Sequence, residues 1–317
     1  MSTASYNCPC CGGGPLKFSG ESGKLECAAC GNSYEPEALE MMTPEESIDE
    51  ITFANDAKRF DTGEAGMRAY FCKNCGAELM ADETAAAECP YCGSPTILPD
   101  RIEGGVKPEN VIPFVATKEQ AQKQFEDYFK GKKLLPNVFL NSRNRISEMR
   151  RLYIPYWLFS CDACADMVYD AEKVHTEQKG EWEITRTKHY LVRRRGDMRF
   201  ENIPVDGSVK MDDKLTESLE PYDLSAAIPF QSAVLAGAMA DHADADCDAC
   251  EKRAVERSVE QTMLDTVRDY DTVNERNRRI TTERGSATPA LLPVWLMTTV
   301  KEGKTYTFAV NGQTGKL

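Results

Sequence analysis

The chain reads Cys8-Pro9-Cys10-Cys11-Gly12 near its start, and the same Cys-x-x-Cys-Gly pattern returns three times. The later stretches are Cys27-Ala28-Ala29-Cys30-Gly31, Cys72-Lys73-Asn74-Cys75-Gly76 and Cys89-Pro90-Tyr91-Cys92-Gly93. A two-residue spacer lets a tight turn direct both sulfurs at one ion, and the glycine tolerates the positive φ that such a turn needs. Each stretch is therefore interpreted as a zinc knuckle.

The knuckles pair naturally along the chain. Fifteen residues separate Cys11 from Cys27, and thirteen separate Cys75 from Cys89. Both lengths suit a short hairpin that closes a tetrahedral site, as in zinc ribbons. The spacing predicts two Zn²⁺ ions, with these ligands: Cys8, Cys11, Cys27, Cys30, Cys72, Cys75, Cys89 and Cys92.

A site closed by four cysteines keeps no open coordination position, which indicates structural rather than catalytic zinc. Iron in a rubredoxin-like site and a redox dithiol are the alternatives. Cys10 is left over inside its knuckle and is interpreted as a bystander thiol, which could also exchange with a neighbouring ligand.

The composition favours an intracellular setting. The 317 residues include thirteen cysteines, and the first residues have neither the basic region nor the apolar core of a secretory signal. In a reducing cytosol, paired cysteines are first interpreted as metal ligands. No stretch reaches the roughly 20 apolar residues of a membrane-spanning helix. We therefore expect a soluble, cytoplasmic chain.

The negative charge is concentrated in the cysteine-rich part. The whole chain has a net charge of −13, and residues 1–104 alone have 7 basic and 18 acidic groups, a net charge of −11. Each zinc ion with four thiolate ligands adds about −2 more. Because a nucleic-acid backbone is also negative, this charge argues against nucleic-acid binding by the ribbons.

Composition and cysteine positions predict four segments. A first four-cysteine zinc ribbon covers 1–35, and an acidic, partly helical linker covers 36–69. A second four-cysteine zinc ribbon covers 70–100, and a larger domain covers 105–317. The expected fold class is multidomain, with two small β zinc ribbons followed by a C-terminal α+β domain.

Apolar periodicity predicts the elements of the C-terminal domain. Thr117 is a suitable N-cap for a helix to about Lys130, with Ala121, Phe125 and Phe129 at fourfold spacing. A longer helix is predicted from about Cys250 to Tyr270, with an apolar stripe that is interpreted as core: Val255, Val259, Met263, Val267 and Tyr270. Strand patterns cover residues 151–159, 182–192, 291–299 and 305–310.

A weak internal repeat runs through the same domain. The order Ile-Pro-Phe, helix, Pro-x-Trp-Leu occurs first at 112–114 and 155–158, then at 228–230 and 293–296. The repeat suggests an internal duplication with two related halves. Chance similarity between short apolar motifs is the alternative.

Two further cysteine pairs have identical sequences. Cys161-Asp162-Ala163-Cys164 and Cys247-Asp248-Ala249-Cys250 could together form a third metal site that joins the two halves. Glycine follows neither pair, and Cys161 continues a strand pattern in which residues i and i+3 face opposite sides. Unpaired buried thiols and a redox pair are the alternatives to a third zinc ion.

Motifs of catalysis are missing from the sequence. The three histidines, His175, His189 and His242, lie in no metalloprotease motif, and there is no Gly-x-Ser-x-Gly elbow and no phosphate loop. We therefore expect no enzymatic activity. The basic runs at 193–195 and 276–279 could contact nucleic acid or anionic lipid, although a solvated strand edge is the more usual role of such a run.

Several motifs together resemble a bacterial family. They are Tyr70-Phe71-Cys72-Lys73-Asn74-Cys75-Gly76-Ala77-Glu78, Val111-Ile112-Pro113-Phe114, Ile154-Pro155-Tyr156-Trp157-Leu158, His189-Tyr190-Leu191-Val192-Arg193-Arg194, Ile203-Pro204-Val205-Asp206-Gly207-Ser208, Met211-Asp212-Asp213, Glu220-Pro221-Tyr222-Asp223 and the ending at 306–316. The resemblance covers nearly the whole chain and is to the TFIIB-type zinc ribbon-containing proteins, which are sometimes mislabelled as primosomal helicases. The paired Cys-Asp-Ala-Cys units depart from the family pattern.

The resemblance implies a cytoplasm-facing adaptor at a membrane. Similar family members continue past the Gln-Thr-Gly-Lys ending into hydrophobic segments that anchor them, whereas this chain stops at Leu317. Related proteins occur beside membrane-stress proteins of the phage-shock type and SPFH-domain proteins, which are the protein partners that the resemblance suggests. The expected function is that of a non-enzymatic zinc-binding adaptor or scaffold. Nucleic-acid binding in transcription or replication is the alternative, followed by an enzyme that uses the Cys-Asp-Ala-Cys thiols.

Overall fold

A computed structural model gives the fold of most of the chain. It describes residues 7–41, 47–60, 68–81, 88–95, 97–100, 105–130, 149–301 and 304–317. The chain divides into two compact units. The smaller unit consists of Met1–Ile51, Ala163–Met198 and Val259–Thr281, and the larger unit consists of Thr52–Asp162, Arg199–Ser258 and Thr282–Leu317.

Strands dominate the described residues. They are β1 Lys17–Phe18, β2 Leu25–Glu26, β3 Ser33–Tyr34, β4 Ile48–Glu50, β5 Phe53–Ala54, β6 Arg68–Cys72, β7 Glu78–Ala81, β8 Ile97–Asp100, β9 Asn110–Val111, β10 Arg150–Lys179, β11 Trp182–Asp206, β12 Ile228–Pro229, β13 Met239–Asp241, β14 Thr272–Lys301 and β15 Lys304–Asn311. The helices are α1 Pro36–Met41, α2 Lys118–Phe129, α3 Asp213–Ser218, α4 Cys247–Val255 and α5 Gln261–Asp265, with a π-helix at Glu256–Glu260 and 3₁₀ turns at Leu224–Ala226 and Ser232–Leu235. The C-terminal part is therefore mostly β, and the expected α+β class is only loosely supported.

The first cysteine-rich segment forms a small sheet inside the smaller unit. Strands β1, β2 and β3 pair antiparallel in that order, with Lys17 opposite Glu26 and Leu25 opposite Tyr34. Leu16 and Leu39 pack with Cys8 and Cys27 in a miniature core. Such a core is too small to fold by itself, so a bound metal ion would supply much of its stability.

The second cysteine-rich segment belongs to a much larger sheet. In the larger unit, strands follow the order β12, β9, β14, β10, β13, β7, β6, β8, and β15 pairs with β14. Strands β6 and β7 come from the second ribbon, and β7 pairs antiparallel with β13. The segment 36–69, predicted as a partly helical linker, contains helix α1 and also strands β4 and β5. Both strands pair with β14.

Helix α2 forms as the sequence predicts. Thr117 accepts a hydrogen bond from the Gln120 amide, and the Gln120 side chain accepts one from the Thr117 amide, so that a capping box begins the helix. Ala121 and Phe125 are fully buried and face a cluster around Trp295. The side chain of Phe129, the third residue of the predicted stripe, lies outside the described part of the chain.

The second predicted helix is interrupted and shorter than expected. Four residues of the predicted stripe are buried, as expected for core residues, and the fifth, Tyr270, is half-buried; the buried four are Val255, Val259, Met263 and Val267. However, a π-helical turn separates α4 from α5, and α5 ends at Asp265 rather than near Tyr270. A π turn inserts an extra residue per turn, which the regular fourfold spacing cannot reveal.

All four strand patterns lie in strands, but three of these strands are far longer than the patterns. β10 and β14 have 30 residues each and β11 has 25, and a two-residue turn with Gly180 at φ +66° joins β10 to β11. Beyond the predicted pattern, β10 continues with buried residues such as Ala163, Ala165 and Met167, whereas the pattern at 182–192 already covers the exposed end of β11. The order β9–α2–β10 and β12–α4–β14 matches the internal repeat, and duplication of an ancestral half stays a prediction.

Candidate metal centres

The first cluster brings together the four cysteines of the first ribbon. The Sγ atoms of Cys8 and Cys30 lie 3.6 Å apart, as do those of Cys11 and Cys27. All four sulfurs lie within 4.8 Å of one another. Cys10 is exposed and is not part of this group, in keeping with its interpretation as a bystander.

The second cluster repeats this geometry. The Sγ atoms of Cys72 and Cys92 lie 3.6 Å apart, and so do those of Cys75 and Cys89. These four sulfurs also lie within 4.8 Å of one another. The pairing of the four knuckles therefore agrees with the sequence, the first with the second and the third with the fourth.

The four knuckles each form the same type of turn. In each, the glycine amide donates to the carbonyl of the first cysteine, over 2.8 to 2.9 Å. The four glycines have positive φ angles between +63° and +75°, as predicted: Gly12, Gly31, Gly76 and Gly93. A side chain at these positions would strain the turn that directs both sulfurs inward.

The donor set fits zinc. A tetrahedron with metal–sulfur bonds of about 2.3 Å has edges of about 3.8 Å, close to the observed sulfur–sulfur distances. Backbone amides also point at the sulfurs, for example from Gly13 to Cys11 over 3.4 Å, and from Asn32 to Cys30, Ala77 to Cys75 and Ser94 to Cys92. Such hydrogen bonds stabilise thiolates, which is the ligand form of cysteine.

The two clusters differ in exposure. In the first, Cys11 and Cys30 are exposed, and the Tyr34 hydroxyl, 3.4 Å from Cys8 Sγ, lowers the pKa of Cys8 to about 6. In the second, Cys72 and Cys89 are fully buried. At both sites desolvation and neighbouring thiols raise the pKa of a cysteine, to about 12 for Cys30 and to about 11 for Cys75, so metal binding at either site must displace protons.

Three residues outside the second ribbon hold its knuckles. Lys210 Nζ donates to the Cys75 carbonyl over 3.0 Å, and Arg150 donates to the Cys89 carbonyl over 3.4 Å. Tyr91, between the two cysteines of its knuckle, donates to Asp241 Oδ2 over 2.5 Å. Sequence reasoning does not identify Lys210, Arg150 or Asp241, because each is more than 50 residues away from the knuckle it contacts.

The two Cys-Asp-Ala-Cys segments do not come together in the predicted third four-cysteine cluster. Burial alternates along β10, with Cys161 buried and Cys164 half-buried, which places their side chains on opposite faces. In this conformation the pair cannot chelate one ion. Of the described residues, Cys247 joins instead with Asp248 and Glu251 as a group of neighbouring ligand atoms. A third zinc ion held by Cys161, Cys164, Cys247 and Cys250 therefore stays a prediction without geometric support.

Three arginines of the two basic runs form ion pairs with acidic side chains. Arg193 makes two hydrogen bonds of 2.6 and 2.7 Å to Asp166, and Arg276 pairs with Asp170. Arg278 pairs with Asp49 and Glu260, each within 2.8 Å. These pairs favour the interpretation of the runs as an ion-paired sheet surface.

Comparison with known proteins identifies one group of relatives. Over 316 residues, the chain is 35% identical to a protein of Bacillus subtilis (strain 168) that is described as "Uncharacterized protein YdjG". The alignment covers 99% of this chain and 88% of the relative. The chain belongs to the YdjG family.

Membership of the YdjG family does not by itself identify an activity. No family model matches the chain, so the TFIIB-type label stays a prediction. No solved structure matches the chain either. Among the helices of the described residues, none is long and apolar enough to cross a membrane. Inferences about function therefore depend on the two four-cysteine clusters.

Proposed function

We propose that this chain is a non-enzymatic zinc-binding adaptor, which presents rigid ribbon surfaces to protein partners. The observation that supports the proposal is the pair of closed four-cysteine clusters with sulfur–sulfur distances of 3.6 Å. Four thiolates complete the tetrahedral coordination of Zn²⁺, so neither ion would keep a position for substrate or water. Zinc in such a site shapes a surface and supplies no reactive group.

The first ribbon is the better candidate for a partner-binding surface. Phe18 on β1 has 63% of its surface exposed and offers an apolar side chain to a partner. Residues 7–41 contain two lysines and five glutamates, to which bound zinc with four thiolates adds about −2. Partners with a basic surface and an apolar pocket are therefore expected, and nucleic acid is not.

The cellular setting follows from the family resemblance. We propose that the adaptor works on the cytoplasmic side of a membrane, in a membrane-stress context, with SPFH-type or phage-shock-type proteins as partners. Transcription-related or replication-related nucleic-acid binding is the competing function that the experiment must distinguish.

The test combines metal stoichiometry with capture of partners. Native mass spectrometry should find two zinc ions on the full chain, two on Cys10→Ser and one on Cys11→Ser. Because Cys10 and Cys11 are adjacent and only Cys11 belongs to the ligand group, the two variants are a matched pair. Each protein then serves as bait in detergent-solubilised cells.

Membrane-stress or SPFH-type proteins that are captured by wild type and Cys10→Ser, and lost with Cys11→Ser, support the adaptor function. Nucleic acid that stays bound at moderate salt would contradict it and support the competing function. A metal-free chain would contradict both, since each depends on folded ribbons.

A further inference from the structure

We infer that the two zinc sites have different roles. The zinc of the second ribbon holds the core of the larger unit together, whereas the zinc of the first ribbon can leave and return while that core stays folded. The first ribbon would then be the part of the adaptor that responds to zinc supply. This inference rests on the proposed zinc-binding function and adds its regulation.

The second ribbon is continuous with the core sheet. Strand β7 pairs with β13 through Leu79 opposite Asp241 and Met80 opposite Ala240, and β13 pairs with β10 at Leu152 and Tyr153. The ligands Cys72 and Cys89 have no exposed surface and belong to one apolar cluster with core residues such as Leu152, Ile154, Leu292 and Val294. The ligands of this zinc site are thus also core residues.

Polar contacts also connect the second ribbon to the core of the larger unit. Lys210 and Arg150 bring positive charge to the two knuckles that would hold a zinc–thiolate group of net charge about −2. The buried Asp241 accepts hydrogen bonds from Tyr91 of the knuckle and from Ser208 of the core. If the zinc left, the knuckles would open, and these buried groups would lose their partners at a cost in stability.

The first ribbon has no such connections among its described residues. Its side-chain hydrogen bonds and ion pairs stay within residues 7–41: Tyr34 with Cys8, Ser22 with Glu26, and Lys24 with Glu35. Its three strands pair only with one another. Two of its four ligands are exposed to solvent, where a chelator can reach them.

Because zinc binding and folding are thermodynamically linked, this difference between the two ribbons predicts different zinc affinities. Binding energy at a structural site is folding energy, so the second zinc ion is retained by the folding free energy of the core as well as by its four sulfurs. The first ion is retained by a miniature core of four residues. Local opening of a small unit requires less free energy than opening a central sheet, so the first ion should exchange faster.

The experiment is a chelator titration of the full two-zinc chain, followed by native mass spectrometry and hydrogen exchange. We expect a one-zinc species first, with loss of amide protection confined to residues 7–41. Loss of the second ion should coincide with loss of protection in β10 and β13. Simultaneous loss of both ions, or loss of the second ion while β13 stays protected, would overturn the inference.

Matched variants separate the two sites without removing a ligand. The Tyr34 hydroxyl contacts Cys8 Sγ of the first cluster, and the Tyr91 hydroxyl donates to Asp241, which holds the knuckle of Cys89 and Cys92 to the core. Removal of a direct partner of a ligand, as in Tyr34→Phe, typically weakens metal binding by about 10- to 100-fold. Tyr91→Phe should speed loss of the second ion and of β13 protection together, whereas Tyr34→Phe should speed loss of the first ion alone.

The ligand variants give the stronger form of the test. Cys30→Ser should yield a folded one-zinc protein, and Cys92→Ser should lose protection throughout the larger unit. A Cys92→Ser protein that retains protection in β13 would refute the inference and leave the proposed function intact. If the wild-type chain binds no zinc at all, the proposed function fails first.

Discussion

Replacement of Asp241 by asparagine should change how stability depends on pH. Asp241 is buried in the larger unit, where it accepts hydrogen bonds from Tyr91 and Ser208, and its burial raises the pKa to about 7. An aspartate in an unfolded chain titrates near 3.9. Asparagine has nearly the same shape, can still accept these bonds through its carbonyl, and has no charge to desolvate.

The direction and size of the effect follow from this pKa. Below about pH 4 the carboxyl is protonated in both states and imposes no penalty. As pH rises towards 7, the unfolded chain gives up the proton while the folded chain keeps it, so the free energy of unfolding falls, by about 4 kcal/mol above pH 7. Between pH 5 and pH 8 the corresponding change is about 2 to 3 kcal/mol.

The assay is urea unfolding of both proteins at pH 5, 6, 7 and 8 in excess zinc. Trp157 and Trp295 are buried in the larger unit, so their fluorescence reports its unfolding. Protonation of the zinc ligands affects both proteins alike and cancels in the difference. Relative to wild type, Asp241→Asn should gain about 2 to 3 kcal/mol between pH 5 and pH 8. A constant difference across this range would refute the reasoning.

Other variants and measurements test further parts of the structure. Thr117→Ala removes a capping box from α2 and should lower the free energy of unfolding by about 1 kcal/mol in urea titrations, whereas an unchanged midpoint would show that the cap is dispensable. Iodoacetamide at neutral pH should alkylate exposed Cys10 well before Cys247, as followed by peptide mass spectrometry, because burial raises the pKa of Cys247 to about 12. Rapid labelling of Cys247 would instead favour an enzyme that uses this thiol. Ile154→Ala should cost about 2 to 5 kcal/mol by urea unfolding, since Ile154 is fully buried in the core of the larger unit, and a smaller loss would indicate that the core can collapse around the gap.

The features that sequence reasoning predicted depend on neighbours in the chain. The cysteines and the glycine of each knuckle lie within five consecutive residues. The two knuckles of a cluster are separated by only thirteen or fifteen residues, the length of a short hairpin. The capping box at Thr117 is likewise local. Each of these patterns specifies its own geometry, so both metal clusters and α2 agree with the expectation.

The features that sequence reasoning missed depend on residues far apart in the chain. Pairing of β7 with β13 joins residues about 160 positions apart, and no periodicity within the second ribbon distinguishes it from an independent module. The prediction ends β10 at residue 159, although buried residues still alternate with more exposed ones beyond it, because several of them are alanines, which are depleted in strands: Ala163, Ala165 and Ala171. The third cluster was proposed from identical tetrapeptides, although one lies in a strand and the other begins a helix.

The pairing of β7 with β13 also sets an order of events during synthesis. The last cysteine of the second ribbon leaves the ribosome about 150 residues before Met239, the first residue of β13. At about 5 to 20 residues per second, the completed knuckles wait roughly 7 to 30 seconds for the strand that covers them. During this interval the sulfurs of the second cluster are open to solvent. At the second site, zinc scarcity would therefore act on the newly made chain, and molecules that are already folded would keep this ion.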